Sequence, residues 1–96
     1  MKIFLDDVRN APNLDWVTVR NYDDCITILS CCWSFIKEIS FDHDLGEDRT
    51  GYDVAKWIEE HCHMNACKCP TWRVHSANPV GRQNIEMAMK SAEIYR

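Results

Sequence analysis

The sequence predicts an α/β fold in which a small, mostly parallel sheet of four strands is flanked by about three helices. Two observations carry that prediction. Short apolar runs of strand length alternate with longer stretches whose apolar residues recur at helical spacing, in the order strand, strand, helix, strand, helix, strand, helix. Each run also stops abruptly at polar residues, where a buried strand would leave the core. Helices alternating with such strands imply layers joined by right-handed crossovers.

Lys2 to Leu5 is the first strand, ended by Asp6 and Asp7. Asn10 to Asp15 contains Pro12 and is a loop, and Trp16 to Arg20 alternates and is β-branched, which makes it the second strand. The link between the two is short and poorly helical, close to the lower limit for a parallel crossover. From Tyr22 onward Cys25, Ile28, Leu29, Cys32 and Ile36 recur at helical spacing, with Asn21 or Asp23 able to cap. That helix is expected to end near Ser34, because Glu38 to Phe41 is the third strand.

Asp42 to Gly51 is a polar loop with two glycines, of a length that is uncommon inside a compact domain and often functional. Thr50 is placed to cap a second helix, with Asp53 where an acid reaches back. Val54, Trp57, Ile58, His61 and Cys62 form its expected inward stripe. Met64 to Pro70 breaks that helix, and Trp72 to His75 is the fourth strand. Asn78 then caps a last helix with Pro79 at its first position and Ile85, Ala88, Met89 and Ala92 on its apolar face.

Ninety-six residues predict one domain over 1–96, with no repeat or linker, burying roughly 60–70% of the surface its unfolded chain exposes. Hydrophobic residues at 46% and charged ones at 27% exclude disordered and collagen-like classes. The net charge of −4 argues against extensive binding of duplex nucleic acid or of an anionic membrane, so a phosphate ligand needs local cations or a metal. No apolar run approaches a membrane span of ~20 residues. The first residues meet Asp6 and Asp7 too early for a secretory signal, so a cytoplasmic setting with free thiols is expected.

In open parallel sheets, ligands bind outside the carboxyl ends of the strands. Here those ends carry Asp6, Asp7 and Arg9 after strand one, Asp42, His43 and Asp44 after strand three, and His75, Ser76 and Asn78 after strand four. A single Asp in such a place often does no more than cap a turn. Paired acids at two strand ends repel one another unless a cation, a shared proton or hydrogen bonds offset the charge. His43 and His75 each follow an apolar strand and can divide general base and general acid duties near neutral pH. Ser76, Asn78 and the start of the last helix form an anion-binding corner, with Arg9 and Arg82 as bidentate donors to phosphate oxygens. Phosphate chemistry therefore suits these residues better than acyl transfer, and the sequence has no Walker loop, dinucleotide fingerprint or nucleophile elbow.

Leu5-Asp6-Asp7-Val8-Arg9, Ser40-Phe41-Asp42-His43-Asp44-Leu45-Gly46, Thr50-Gly51-Tyr52-Asp53 and Val74-His75-Ser76-Ala77-Asn78-Pro79-Val80-Gly81 span nearly the whole chain in order. Together they resemble the cyclic-phosphate-processing receiver-like domain family. The resemblance implies a receiver-type, flavodoxin-like sheet lacking its fifth strand. It also implies a phosphoesterase action on cyclic phosphates, RNA ends or cyclic nucleotides, in phage or bacterial conflict or RNA repair. Asp6 and Asp7, Asp42 and Ser76 match the positions of the receiver's acids, phosphoacceptor and hydroxyl. No lysine matches the receiver's lysine, since Lys2, Lys37, Lys56, Lys68 and Lys90 fall elsewhere. His43 and His75 are additions that a phosphorylated switch does not need, which favours a hydrolase.

Asp6, Asp7 and Asp42 are the expected ligands of Mg²⁺ or Mn²⁺, hard ions suited to carboxylates; the alternative is metal-free chemistry by the histidines with the acids orienting them. His43, His75, Asp42 and Asp44 are the candidate catalytic groups, and Arg9, Ser76, Asn78 and Arg82 the candidate phosphate contacts. Two readings without catalysis stand beside this one: a module that sequesters a cyclic nucleotide or a phosphorylated partner, and a degenerate receiver used for protein interaction. Finally, His61, Cys62, His63, Cys67 and Cys69 offer soft-metal ligands, but at irregular spacing for zinc, so core packing of Cys62 is the main expectation and zinc the minor one.

Overall fold

In a computed structural model, residues 1–95 are described; Arg96, the last residue of the expected domain, lies outside them. Four strands, β1 (Lys2–Leu5), β2 (Trp16–Val19), β3 (Glu38–Phe41) and β4 (Thr71–Val74), form one sheet in the order β2-β1-β3-β4. Every neighbouring pair is parallel, with Phe4 opposite Thr18 and Ser40, and Ser40 opposite Arg73. This is the receiver order, and no fifth strand follows β4 among the described residues.

Three α-helices complete the fold: α1 (Tyr22–Cys32), α2 (Gly51–Asn65) and α3 (Pro79–Ala92). The steps β2 to β3 and β3 to β4 advance the same way across the sheet, so right-handed crossovers place α1 and α2 on one face. In agreement, α2 packs against both α1 and α3. The residues facing this layer, Ile3, Leu5, Val19, Ile39, Phe41 and Val74, join Leu29, Ile58, Ile85 and Met89 in the core. Strand alternation puts Lys2, Phe4, Trp16, Thr18, Glu38, Ser40, Thr71 and Arg73 on the opposite face. No helix covers that face among the described residues. It covers itself instead: Trp16 meets Phe4 edge to face, and Glu38 is bonded by Arg73 at 2.7 Å.

The step from β1 to β2 runs the other way, and its connection has no helix. It is held by local hydrogen bonds, from Trp16 N to Asn13 O, Asp15 N to Asn13 Oδ1 and Ala11 N to Thr18 Oγ1. A parallel pair thus forms across a turn-rich link that periodicity alone scarcely supports.

The caps fall where their chemistry requires. Asn21 accepts from Asp24 N, Thr50 and Asp53 form a reciprocal capping box, and Asn78 accepts from Gly81 N with Pro79 at the first helical position. Several expected boundaries differ. Helix α1 stops at Cys32 and tightens into a 3₁₀ turn over Trp33–Phe35, β2 ends at Val19, and β4 is shifted one residue toward Thr71. In α2 the buried stripe is Gly51, Val54, Ala55, Ile58 and Cys62. Trp57 and His61 are only half-buried, stacked on each other at 5.0 Å beside Trp33. Among the described residues, no helix is long and apolar enough to cross a membrane.

Candidate functional site

The parallel register carries the ends of β1, β3 and β4 to one edge, and there Asp6, Asp42 and His75 bring ligand atoms within 4.8 Å of one another. Asp6 is fully buried and accepts four hydrogen bonds. Oδ1 takes those of Val8 N (2.9 Å) and Arg9 N (2.7 Å), and Oδ2 those of Arg9 Nε (3.1 Å) and His75 Nε2 (3.0 Å). Burial alone would raise its pKa, but the backbone N–H groups of Arg9 and Val8, aided by His75 and the Arg9 charge, outweigh it and hold the carboxyl below its ordinary value.

His75 is fixed from every side. Its ring stacks flat on Phe4 at 4.2 Å, its Nδ1 meets Ser40 Oγ at 2.7 Å, and its carbonyl accepts from Arg9 Nη2 at 3.2 Å. An ionised Asp6 requires Nε2 to carry the proton, so Ser40 donates its hydroxyl hydrogen to Nδ1. Burial pushes the imidazole pKa below its ordinary value despite Asp6, which keeps the ring neutral. Asp42 behaves oppositely: burial, with Asp6 nearby, raises its pKa although His43 N donates to its Oδ1 at 2.8 Å.

The second imidazole lies on the α3 side of the edge. His43 is seated on Gly81, so close that a methyl group there would sit 2.3 Å from its Cγ. Its Nδ1 contacts Asp44 Oδ1 at 3.1 Å and Asn78 Nδ2 at 3.4 Å, while Nε2 has no hydrogen-bond partner among the described residues. Donation from Nδ1 to the carboxylate leaves the lone pair on Nε2. Ser76 Oγ accepts from Asn78 N, so the corner at the start of α3 is partly satisfied by its own side chains. The Asn78 amide and the Ser76 hydroxyl hydrogen remain as donors.

The backbone around His43 depends on two glycines. Gly51 N donates to His43 O at 2.8 Å, and any side chain at 51 would strike Asp42 O. Gly46 has φ +68° and lies against Asp7 Oδ2. Leu45 is buried in the core and Glu47 accepts from Tyr22 N, so the polar loop is anchored at its middle.

The expected site residues therefore fall into two neighbouring groups, Asp6, Arg9, Asp42 and His75, and His43, Asp44, Asn78 and Ser76, with Asp7 beside Gly46. Arg82 joins neither; it extends along α3 toward Glu86 at 3.6 Å. Two residues that sequence reasoning passed over belong to the site. Ser40 is a polar residue in an apolar strand, a visible signal whose partner is visible only in the fold. Arg20 donates to Asp6 O, Arg9 O and Asn10 Oδ1, tying down the loop that carries Arg9.

In the cysteine cluster Cys62 and Cys69 are buried and Cys67 is half-buried. Burial, with Cys69 and Cys67 alongside, pushes the Cys62 thiol up to about 12, so it stays protonated. His61 is stacked between tryptophans, and His63 bonds Ser91 Oγ at 3.1 Å.

Comparison with curated proteins and with solved structures returns no match. The sequence model of the cyclic-phosphate processing receiver domain matches residues 1–91 of the 96. Four parallel strands in receiver order and a match over nearly the whole chain agree: the chain belongs to the cyclic-phosphate processing receiver domain family.

Proposed function

We propose that the chain is a small phosphoesterase that opens or hydrolyses a cyclic phosphate, at an RNA 2′,3′-cyclic end or in a cyclic nucleotide. The observation that carries this reading is His43, whose Nδ1 is held by Asp44 while Nε2 has no partner among the described residues, the arrangement of an imidazole ready to accept a proton. In this reading Nε2 takes a proton from water, the water oxygen bonds to phosphorus, and one ring P–O bond breaks. The departing oxygen takes its proton from the protonated fraction of Asp42, a fraction enlarged because partial burial and the nearby Asp6 raise its pKa. Exchange with solvent then returns His43 and Asp42 to their starting forms. Arg9, Asn78 and Ser76 bind the phosphate oxygens. With both nitrogens engaged, His75 acts by holding Asp6 and the loop behind it.

The test is a screen of 2′,3′-cyclic phosphates and cyclic di- and trinucleotides, with and without Mg²⁺ and Mn²⁺, on wild type, His43→Ala and His75→Ala, products separated by chromatography. Turnover by wild type that falls in His43→Ala by about 10²–10⁴-fold, the usual worth of a general base, supports the reading. Full activity in His43→Ala overturns the role of that residue. Calorimetric binding without any product would instead leave a module that sequesters its ligand.

A further inference from the structure

The acidic pocket has the composition of a divalent-cation site, yet its lone pairs are already spent. A carboxylate offers about four acceptor positions, and Asp6 fills them with Val8 N, Arg9 N, Arg9 Nε and His75 Nε2. His75 turns Nε2 to Asp6 and Nδ1 to Ser40. Of the three close groups, only Asp42 keeps an oxygen without a partner among the described residues. A hard ion such as Mg²⁺ demands near-octahedral oxygen ligation. To enter, it would have to expel a guanidinium and pull the His75 ring from its stack on Phe4. These residues, as arranged, do not fit a divalent ion.

We propose that Arg9 takes the place of that cation. Its Nε neutralises Asp6 and one Nη2 hydrogen fixes the His75 carbonyl, which leaves Nη1 and the second Nη2 hydrogen available to phosphate oxygens. The side chain is more than half exposed, so these donors are accessible to a ligand. Its backbone is fixed in advance: Arg9 N donates to Asp6 Oδ1, and Arg9 O accepts from Arg20 Nη1 at 2.7 Å. The pocket thus takes an anionic phosphate group without a metal. The choice of ligand rests on the phosphoesterase reading, whereas the exclusion of a divalent ion does not.

Electron paramagnetic resonance of Mn²⁺ titrated with protein tests the metal half, and titration with inorganic phosphate followed by the ring resonances of His43 tests the ligand half. Wild type and Arg9→Lys, which keeps the charge, are expected to leave Mn²⁺ free. Arg9→Gln, which uncovers the Asp6 charge, is expected to bind Mn²⁺ where wild type does not and to lose phosphate affinity by about tenfold. Circular dichroism confirms folding of each variant. Stoichiometric Mn²⁺ binding by wild type overturns the proposal, as does phosphate affinity unchanged in Arg9→Gln. If wild type ignores Mn²⁺ and Arg9→Gln loses phosphate, but no cyclic phosphate is turned over, Arg9 keeps its role and the phosphoesterase reading falls.

Discussion

At the scale of single residues, the site holds groups whose best interest is not the stability of the fold. Asp42 is the clearest case, because burial penalises the charge it carries at neutral pH. Asparagine preserves the oxygen that accepts from His43 N and removes the charge. Asp42→Asn should therefore raise the thermal midpoint at pH 7 while abolishing turnover, and the gain should vanish below the ordinary aspartate range near pH ~3.9, where both side chains are neutral. A midpoint that falls at pH 7 would show that Asp42 is held by attraction instead. Gly81 gives a second test. Alanine in an exposed helical position ordinarily stabilises by about 0.5–1 kcal/mol over glycine, but here the added methyl meets the His43 ring. Gly81→Ala is expected to keep its helix content, shift the His43 ring resonances and lose about 10²-fold in turnover, the effect of a displaced catalytic group. The approach of Asp6, Asp42 and His75 was legible in the sequence, because residues that follow parallel strands must meet at one edge. The saturation of Asp6 was not, since the bond that completes it comes from His75, 69 residues away in sequence.

At the scale of elements, the start of α2 shows how a cap and a glycine divide their labour. Thr50 and Asp53 satisfy each other's backbone donors, whereas Gly51 admits Asp42 O to a distance no side chain allows. Thr50→Ala should cost about 1 kcal/mol with kcat unchanged. Gly51→Ala should cost more and also reduce turnover, because the carbonyl it meets belongs to the backbone of Asp42 and cannot swing aside. Chemical denaturation and steady-state kinetics on the pair separate the two roles; equal losses of stability with full activity in both would refute it. The capping box, the Pro79 start and the apolar face of α3 were readable because each is a local pattern. The Trp57 and His61 positions were misjudged for a physical reason: helical spacing identifies a face, but the width of the buried stripe is set by the neighbours. Here Trp33 supplies a stacking partner at the rim, and the small Ala55 takes the fully buried place.

At the scale of the whole molecule, three helices on one side of the sheet leave the other to be closed by side chains, and His75 is part of that closure through its stack on Phe4 and its bond to Ser40. The formal charge of −4 then says little about phosphate, because the acid at the centre of the edge is already answered by Arg9. Building a titratable ring into the uncovered face makes stability depend on pH. His75 has a folded pKa below its ordinary value, so near pH ~6.5 and below the unfolded chain takes up a proton that the folded chain resists. The unfolded state binds more protons in that window, and stability must fall as pH falls through it. Asp6, lowered in the fold, pulls the same way at still lower pH, and Asp42, raised, opposes it. Guanidinium midpoints measured from pH 5 to 7.5 should therefore rise with pH. In His75→Gln, whose amide keeps a donor for Asp6 and an acceptor for Ser40 without titrating, that rise should flatten. A slope identical in the two proteins would mean that the histidine closing this face is not the group that senses acid.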